Sequence, residues 1–365
     1  MPTSKLPNPD DFRGQKFYIG IDVHKKSWAV TVRSLNFVVA HFTQPPSPAA
    51  LLSQLQRKFP GGEYYSTYEA GFSGTSAHED LCKLGIKNII VHPGDIPRTD
   101  KEKKNKTDVH DSRSLAFHLE KGNLHSIYML SRQQQEFRAL FRLRESKARD
   151  VARVINRLKA YLLYFGIDYS SNFEGYISAR VITWLRKLKM THEAGVFTLK
   201  RYIDELVYQR NELGKITKAL RSQAKKEYGM PYKCLLSVPG IGFTTAIGLL
   251  AEIGDFNRFK DPAEYCSFLG LIPWQHSSGD SVQVKGIQPR CNKHLRPLLV
   301  EASWIAIRND SSLLKYYRKH AVKNSRHAIV KVARKLALIA KGVVQKLQMY
   351  DAAYSPFPDH GLAAQ

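Results

Sequence analysis

A change of hydrophobic period near Ser131 constrains the fold of this chain more than any other feature. Before it, apolar residues fall in short runs broken by polar or proline-rich segments. After it, Phe137, Leu140, Phe141, Val151, Ile155, Leu158, Leu162 and Phe165 recur at about three- and four-residue steps. Short runs of that kind read as buried strands, whereas the later spacing keeps one side of a helix apolar over many turns. The first part predicts strands at 17–23, 27–33 and 36–42 and, after Pro45, Pro46 and Pro48, a helix at 49–59. A strand at 63–68, a helix at 75–84, a strand at 88–92 and a helix at 108–121 follow. The second part predicts a long helix over 131–165, a turn region at 166–178, a shorter helix at 179–188 and a long helix over 197–228 folding back as an antiparallel hairpin. An α/β domain followed by a mainly helical remainder is the expected class. At 365 residues and 43% hydrophobic composition the chain can supply a core for each part.

Within the order βββαβαβα, four acids stand at notable places. The stretch Asn105-Lys106-Thr107-Asp108-Val109-His110-Asp111 sets two carboxylates three residues apart on the first turn of a helix, facing the same way. Like charges that close repel unless a cation lies between them. Asp22 stands on the first strand and Glu69 at the end of the fourth. Taken singly, Asp22 reads as a turn or cap residue, Glu69 as a surface acid and Asp108 as an N-cap or first-turn acid matched to the helix dipole. Taken together, they resemble the ribonuclease H arrangement, in which carboxylates from separate elements converge on two divalent ions. Oxygen-only ligands suit Mg2+, and two such ions would stabilise the attacking and leaving oxygens of a phosphoryl displacement. His24 and His110 stand beside the acids, and Lys106 and Arg113 flank the pair closely enough to meet a phosphate or to pair with a carboxylate.

Charge narrows the partner. Against 32 acidic residues stand 56 Lys and Arg, a formal net charge of +24, which points to a polyanion, with nucleic acid ahead of a membrane surface. The long helix carries Arg142, Arg149, Arg153 and six further cations against three acids, a balance that favours nucleic-acid contact over a merely solvated face. Downstream, Val238-Pro239-Gly240-Ile241-Gly242 between apolar segments of helical spacing forms a helix-hairpin-helix pattern. Gly240 and Gly242 would let backbone amides approach a phosphate, though an ordinary interhelical turn has the same composition. Ser277 and Ser278, in a Ser-Ser-Gly turn, precede a Gly286-Ile287 turn and the cations Arg290, Lys293 and Arg296. They are candidate nucleophiles, although Ser-Ser-Gly is also a common loop. Helices are expected at 298–307 and 325–349. Cys82, Cys234, Cys266 and Cys291 are too scattered for a zinc ribbon or a disulfide framework. No apolar run approaches a membrane span or a signal peptide, so a cytoplasmic, nucleoid-associated protein is expected.

These motifs resemble a known family. Tyr18-Ile19-Gly20-Ile21-Asp22-Val23-His24-Lys25, Glu69-Ala70 and the Asn105 to Arg113 stretch are similar to the DEDD transposases of the IS-one-ten insertion-sequence group. Val238 to Gly242, Phe268-Leu269-Gly270-Leu271-Ile272-Pro273, His276 to Gly279 and Arg296-Pro297-Leu298-Leu299-Val300-Glu301-Ala302 resemble that group's second domain. The resemblance implies a Holliday-junction-resolvase-like ribonuclease H domain (17–127), a helical coiled-coil region (128–228) and a transposase domain holding a catalytic serine (229–350); polar and proline-rich composition predicts a disordered N-terminus (1–16) and a disordered tail (351–365). The resemblance also implies that Asp22, Glu69, Asp108 and Asp111 bind Mg2+. Ser278, with Ser277 as fallback, would form a phosphoserine link to DNA. A bridge RNA from the element's noncoding end would guide the reaction. Dimers would pair into a tetramer, one subunit's acids meeting another's serine. At Gln288-Pro289-Arg290-Cys291-Asn292 the chain departs from the family's usual Thr/Ser-Lys-Arg-Gly-Asn turn. The competing readings are a metal-dependent structure-specific nuclease in which water attacks, and a non-catalytic nucleic-acid-binding protein.

Overall fold

The computed structural model describes residues 12–97, 108–168, 177–278 and 281–351, with the side chains of 108–109, 275–278 and 281–285 left aside. The chain divides into two compact units, Met1–Met129 and Leu130–Gln365.

The first unit is built on a five-stranded sheet: β1 (Lys16–Val23), β2 (Trp28–Ser34), β3 (Phe37–Gln44), β4 (Glu63–Glu69) and β5 (Lys87–Val91), in the order β3-β2-β1-β4-β5. The first three strands form an antiparallel meander, and β4 and β5 join β1 in parallel. Parallel neighbours need crossover connections. These are α1 (Pro48–Lys58), capped by Ser47, and α2 (Ser76–Lys83). Leu35 and Asn36 take positive φ values of 50° and 68° in the β2–β3 connection, as a two-residue hairpin that follows the strand twist requires. Helix α3 (Asp108–Glu120) lies on β1, because Gly20 leaves room for it. A Cβ built on Gly20 would stand 2.1 Å from Ser112 O and 2.5 Å from Ala116 N. Residues 12–16, assigned by sequence to a disordered tail, are held here: Phe12 packs edge-on against Phe17 and Phe59, and Lys16 opens β1.

The second unit begins with α4 (Arg132–Tyr164), opened by a capping box in which Ser131 and Gln134 satisfy each other's backbone amides. A short α5 (Ala179–Lys187) leads to α6 (Glu193–Ser237). Lys147 meets Gln209, and Tyr161 meets Gly195, so α4 and α6 run antiparallel as expected. Two apolar cores form along this pair. One, distal, joins Val154, Leu158 and Leu162 to Val181, Leu199 and Leu206. The other takes Phe137 and Phe141 from the start of α4 and Leu220 to Leu235 from the end of α6 into the C-terminal core. Burial of Tyr232, Cys234 and Leu235 carries α6 through Pro231 and past residue 228, so the domain boundary drawn there falls inside one helix.

Around α7 (Phe243–Ile253), buried from Thr245 to Ile253, pack α8 (Pro262–Leu269), α9 (Leu295–Asn309), α10 (Ser311–Ala321) and α11 (Ser325–Lys346). A two-stranded hairpin, β6 (Pro273–Ser278) and β7 (Ser281–Ile287), lies between α8 and α9 in the chain. This corrects two expectations. Ser277 and Ser278 are the last residues of a strand and not turn residues, pairing with Val282 and Ser281. Gly286 and Ile287 end β7, with Gly286 at φ +66° beside a register irregularity.

Candidate active site

Asp22 and Glu69 each stand one residue beyond the Ile21–Tyr68 pair of the parallel strands β1 and β4. The two acids therefore lie side by side at the C-terminal ends of neighbouring strands, about 4.8 Å apart in the sheet. Asp22 faces the same side as Gly20, the side covered by α3, since strand side chains alternate. Two anchors set the direction of α3. Ser112 Oγ and Thr31 Oγ1, opposite Gly20, share a buried hydrogen bond of 2.9 Å. At the helix end, Arg33, opposite Tyr18, donates to Glu120 Oε2 at 2.7 Å. Helix α3 thus runs antiparallel to β1, and its first turn lies toward the end where Asp22 stands. Asp108 is the first residue of that turn and Asp111 is buried on it.

The sheet and α3 bring three of the predicted acids, Asp22, Glu69 and Asp111, and the start of α3 with Asp108, to one edge of the unit. Asp22 Oδ2 lies 3.1 Å from His24 Nε2, which places His24 in contact with the first of the acids. Among the described residues no three His, Cys, Asp or Glu side chains already form a ready cage for an ion. The donor set is nonetheless oxygen-only and comes from three hydrogen-bonded elements, which fits a hard divalent cation that keeps water or phosphate ligands of its own. Tyr68, beside Glu69, is held protonated: burial pushes its pKa up to about 12. Arg113 is exposed on α3, and Lys106 lies outside the described residues.

In the second unit the serine hairpin is gripped at its base. Gln288 N donates to Ile272 O at 3.2 Å, Ser267 Oγ donates to Gln288 Oε1, and Arg296 donates to Gln288 O at 2.8 Å and Gly270 O at 3.5 Å. Gly270, at φ +69°, ends α8 left-handed, and a Cβ there would lie 2.3 Å from Cys291 Cβ. Arg296, expected at nucleic acid, is thus directed at carbonyls flanking the hairpin.

Arg142, also expected at nucleic acid, is exposed, and its guanidinium pairs with a buried acid. Its Nε and Nη2 donate to the two carboxylate oxygens of Glu252 at 2.7 and 2.8 Å, and Glu252 is buried on α7. Asn292 Nδ2 donates to the same carboxylate at 2.9 Å, while its Oδ1 accepts from the amides of His294 and Leu295 and so caps α9. His294 Nδ1 lies 2.5 Å from Glu145 Oε2 on α4. Burial opposes ionisation of Glu252, but the bonds from Arg142 and Asn292 and the charges of Arg142 and His294 prevail and hold its pKa below the ordinary value. The bond to Glu252 correspondingly raises Arg142. Sequence reasoning passed over Glu252, Asn292 and Glu145. The available signal was an acid in the otherwise uncharged segment Phe243–Ile253.

The remaining cations divide. Arg153 pairs with Asp150 one turn away, and Arg149, Arg290 and Lys293 are exposed. Gly240, at φ +82°, is required by packing: a Cβ would stand 2.2 Å from Ala302 O of α9. Gly242 caps α7 with open space beside it and no side-chain capping bond. On the ring of Phe243, at that helix start, Arg221 and Arg144 stack at 4.7 and 5.8 Å.

Comparison with known proteins agrees with this layout. Residues 19–166 match a family described as a transposase, DEDD_Tnp_IS110, and residues 232–318 match the Transposase IS116/IS110/IS902 family. The chain is 26% identical over 303 residues to the transposase for insertion sequence element IS1533 of Leptospira borgpetersenii, covering 80% of this chain and 85% of that one. It is 25% identical over 232 residues to the transposase for IS1111A of Coxiella burnetii, covering 62% and 61%. The pilin gene-inverting protein of Moraxella bovis is 29% identical over 121 residues, 32% of this chain and 38% of its own.

Proposed function

Because this chain belongs to the IS110/IS116/IS902 family of insertion-sequence transposases, we propose that it moves its element by cutting and rejoining DNA through a serine, assisted by an acid-bound metal. The observation that carries the reading is the meeting of Asp22, Glu69 and the first turn of α3 at the C-terminal ends of two interior strands, in a sheet of order β3-β2-β1-β4-β5. That order, with one antiparallel meander and two parallel additions, supports a ribonuclease H-like unit. The α6–turn–α7 segment through Gly240 and Gly242 supports a helix-hairpin-helix, with Gly242 open to a phosphate and Gly240 closed by packing.

Asp22, Glu69, Asp108 and Asp111 would hold Mg2+, two ions in the full site, which when bound supplies charge stabilisation at the scissile phosphate. The chain's own part is to hold those carboxylates in place through β1, β4 and α3. In the other unit Ser278, or Ser277 beside it, bonds through Oγ to phosphorus as the P–O bond to deoxyribose breaks, and the leaving oxygen takes up the serine proton. Attack by the hydroxyl of a second strand then breaks the Ser–P bond and restores the serine. Arg149, Arg153, Arg290 and Lys293 belong to the proposed nucleic-acid surface. Guidance by a bridge RNA, assembly from dimer to tetramer and a cytoplasmic, nucleoid-associated site of action are part of the same proposal. No helix among the described residues is long and apolar enough to cross a membrane.

A second reading, a metal-dependent nuclease in which water attacks, is favoured by the acid site alone. Trapping separates the two. The chain is expected to yield protein-linked DNA that Ser278→Ala abolishes and Ser277→Ala does not, with Asp111→Asn lowering cleavage by on the order of a hundredfold. Cleavage without linkage would select the nuclease, and full cleavage by an Asp108→Asn, Asp111→Asn double variant would remove the metal site.

A further inference from the structure

Among the described residues, strands β6 and β7 form a two-stranded sheet with no third strand beside them. An isolated hairpin is marginally stable in water, so its pose must come from where its ends are tied. On the entry side, Leu271 N donates to Cys266 O at the end of α8. On the exit side the chain passes from Gln288 to Asn292, where four polar bonds converge. Asn292 N donates to Phe268 O at 2.8 Å, Oδ1 accepts from His294 N and Leu295 N at 3.0 Å each, and Nδ2 donates to Glu252 Oε2 at 2.9 Å. The two ends of this amide are not interchangeable, because the oxygen faces two donors and the nitrogen faces a carboxylate.

Glu252 is costly where it sits. It is an acid on a helix otherwise buried in apolar surroundings, and a buried ion pair is often no more stable than a hydrophobic replacement of similar volume. What an apolar residue could not do is hold Asn292. We propose that Glu252 and Asn292, braced by Arg142, are positioning residues that fix the exit of the β6–β7 hairpin and so the pose of Ser277 and Ser278; this rests on the reading that a serine of that hairpin attacks DNA. His294, tied to Glu145 on α4, adds a second brace to the same turn. Arg296 completes the grip from α9 through Gln288 O. A displacement of about 1 Å in a reacting group can lower a rate on the order of a hundredfold, which makes such bracing consequential.

The test uses the full chain with a plasmid carrying its element, both ends and the noncoding flank, in bacterial cells. It reads excision, protein-linked DNA and, on purified protein, amide exchange across 272–288. N292D keeps the oxygen that caps α9 but sets a carboxylate against Glu252, and E252Q/N292D reverses the donor and acceptor. N292D is expected to lower linked DNA and excision by on the order of a hundredfold and to speed hairpin exchange, and the double variant to recover to within about tenfold of the parent. Undiminished linkage in N292D, or a double variant no better than N292D, overturns the proposal. Were N292D to lose its helical circular dichroism, E252Q alone is read, and unchanged hairpin exchange in it is equally fatal. A parent chain that excises the element without any linked DNA refutes the serine reading instead, and excision and exchange then judge the positioning by themselves.

Discussion

Gly20→Ala tests whether the acids depend on the close approach of α3 to β1. The new Cβ would stand 2.1 Å from Ser112 O, 2.5 Å from Ala116 N and 2.9 Å from Leu115 Cβ. Two of those atoms are helix backbone and cannot swing aside. A carbon–oxygen contact relaxes at about 3.3 Å, so the helix must retreat by roughly 1.2 Å or tilt about its Glu120 anchor. Overpacking of this kind costs about 1–3 kcal/mol, and the upper end applies because Thr31–Ser112 must stretch in a buried site. The retreat also carries Asp108 and Asp111 away from Asp22, for which a loss on the order of a hundredfold in DNA cleavage is expected. Thermal unfolding followed by amide exchange in β1 and α3 reads the first effect, and cleavage of element-end DNA reads the second. Gly342→Ala, in α11 with nothing within 4 Å of its Cβ, is the control and should stabilise by up to about 1 kcal/mol. If Gly20→Ala matched it in both stability and cleavage, the packing argument and the placement of the acids would fall together.

Two further outcomes are expected. Because Glu252 is held below the ordinary carboxylate value in the folded chain, its contribution is present above that value and lost as pH falls through the folded one. Glu252→Gln should therefore flatten the acid side of the stability profile measured by urea midpoints, and an unchanged profile would show the network to be energetically silent. Tyr350→Phe removes a 2.5 Å bond to Asp310 Oδ2, the residue that also caps α10, while leaving Tyr350 N on Ser237 Oγ. A loss of about 1–2 kcal/mol is expected, and a change of less than a few tenths in the denaturation midpoint analysis would contradict it.

The strands and long helices were legible because each carries its own period. Residues 17–42 alternate or run apolar between breaks, and 131–165 repeats at helical steps, so burial of one face dictates the element whatever packs on it. The capping serine at 131 was likewise local. Helices α8 and α10 were not anticipated, although α2 and α1, of the same eight and eleven residues, were. The β6–β7 hairpin was hidden because Ser277-Ser278-Gly279-Asp280 has loop composition, although Val282 and Val284 alternate with polar residues along β7. For the candidate site, the sequence offered the acids, the serines and the cations as candidates; Arg142 and Arg296 look alike to Arg149 and Arg290 in composition and differ only in what faces them.

By itself, then, the sequence determined what is periodic or chemical: a strand-rich unit followed by long helices, oxygen ligands at strand ends and a helix start, and an excess of positive charge. Tertiary structure decided which residues are neighbours. It set Glu69 beside Asp22 through a parallel crossover and placed α3 on Gly20 with its first turn toward them. It set Arg142 against a buried carboxylate and Arg296 against carbonyls flanking the hairpin. Apart from Arg296, whose partners lie 8 and 26 positions away, those outcomes depend on contacts between residues 40 to 110 positions apart, where no local pattern records the partner.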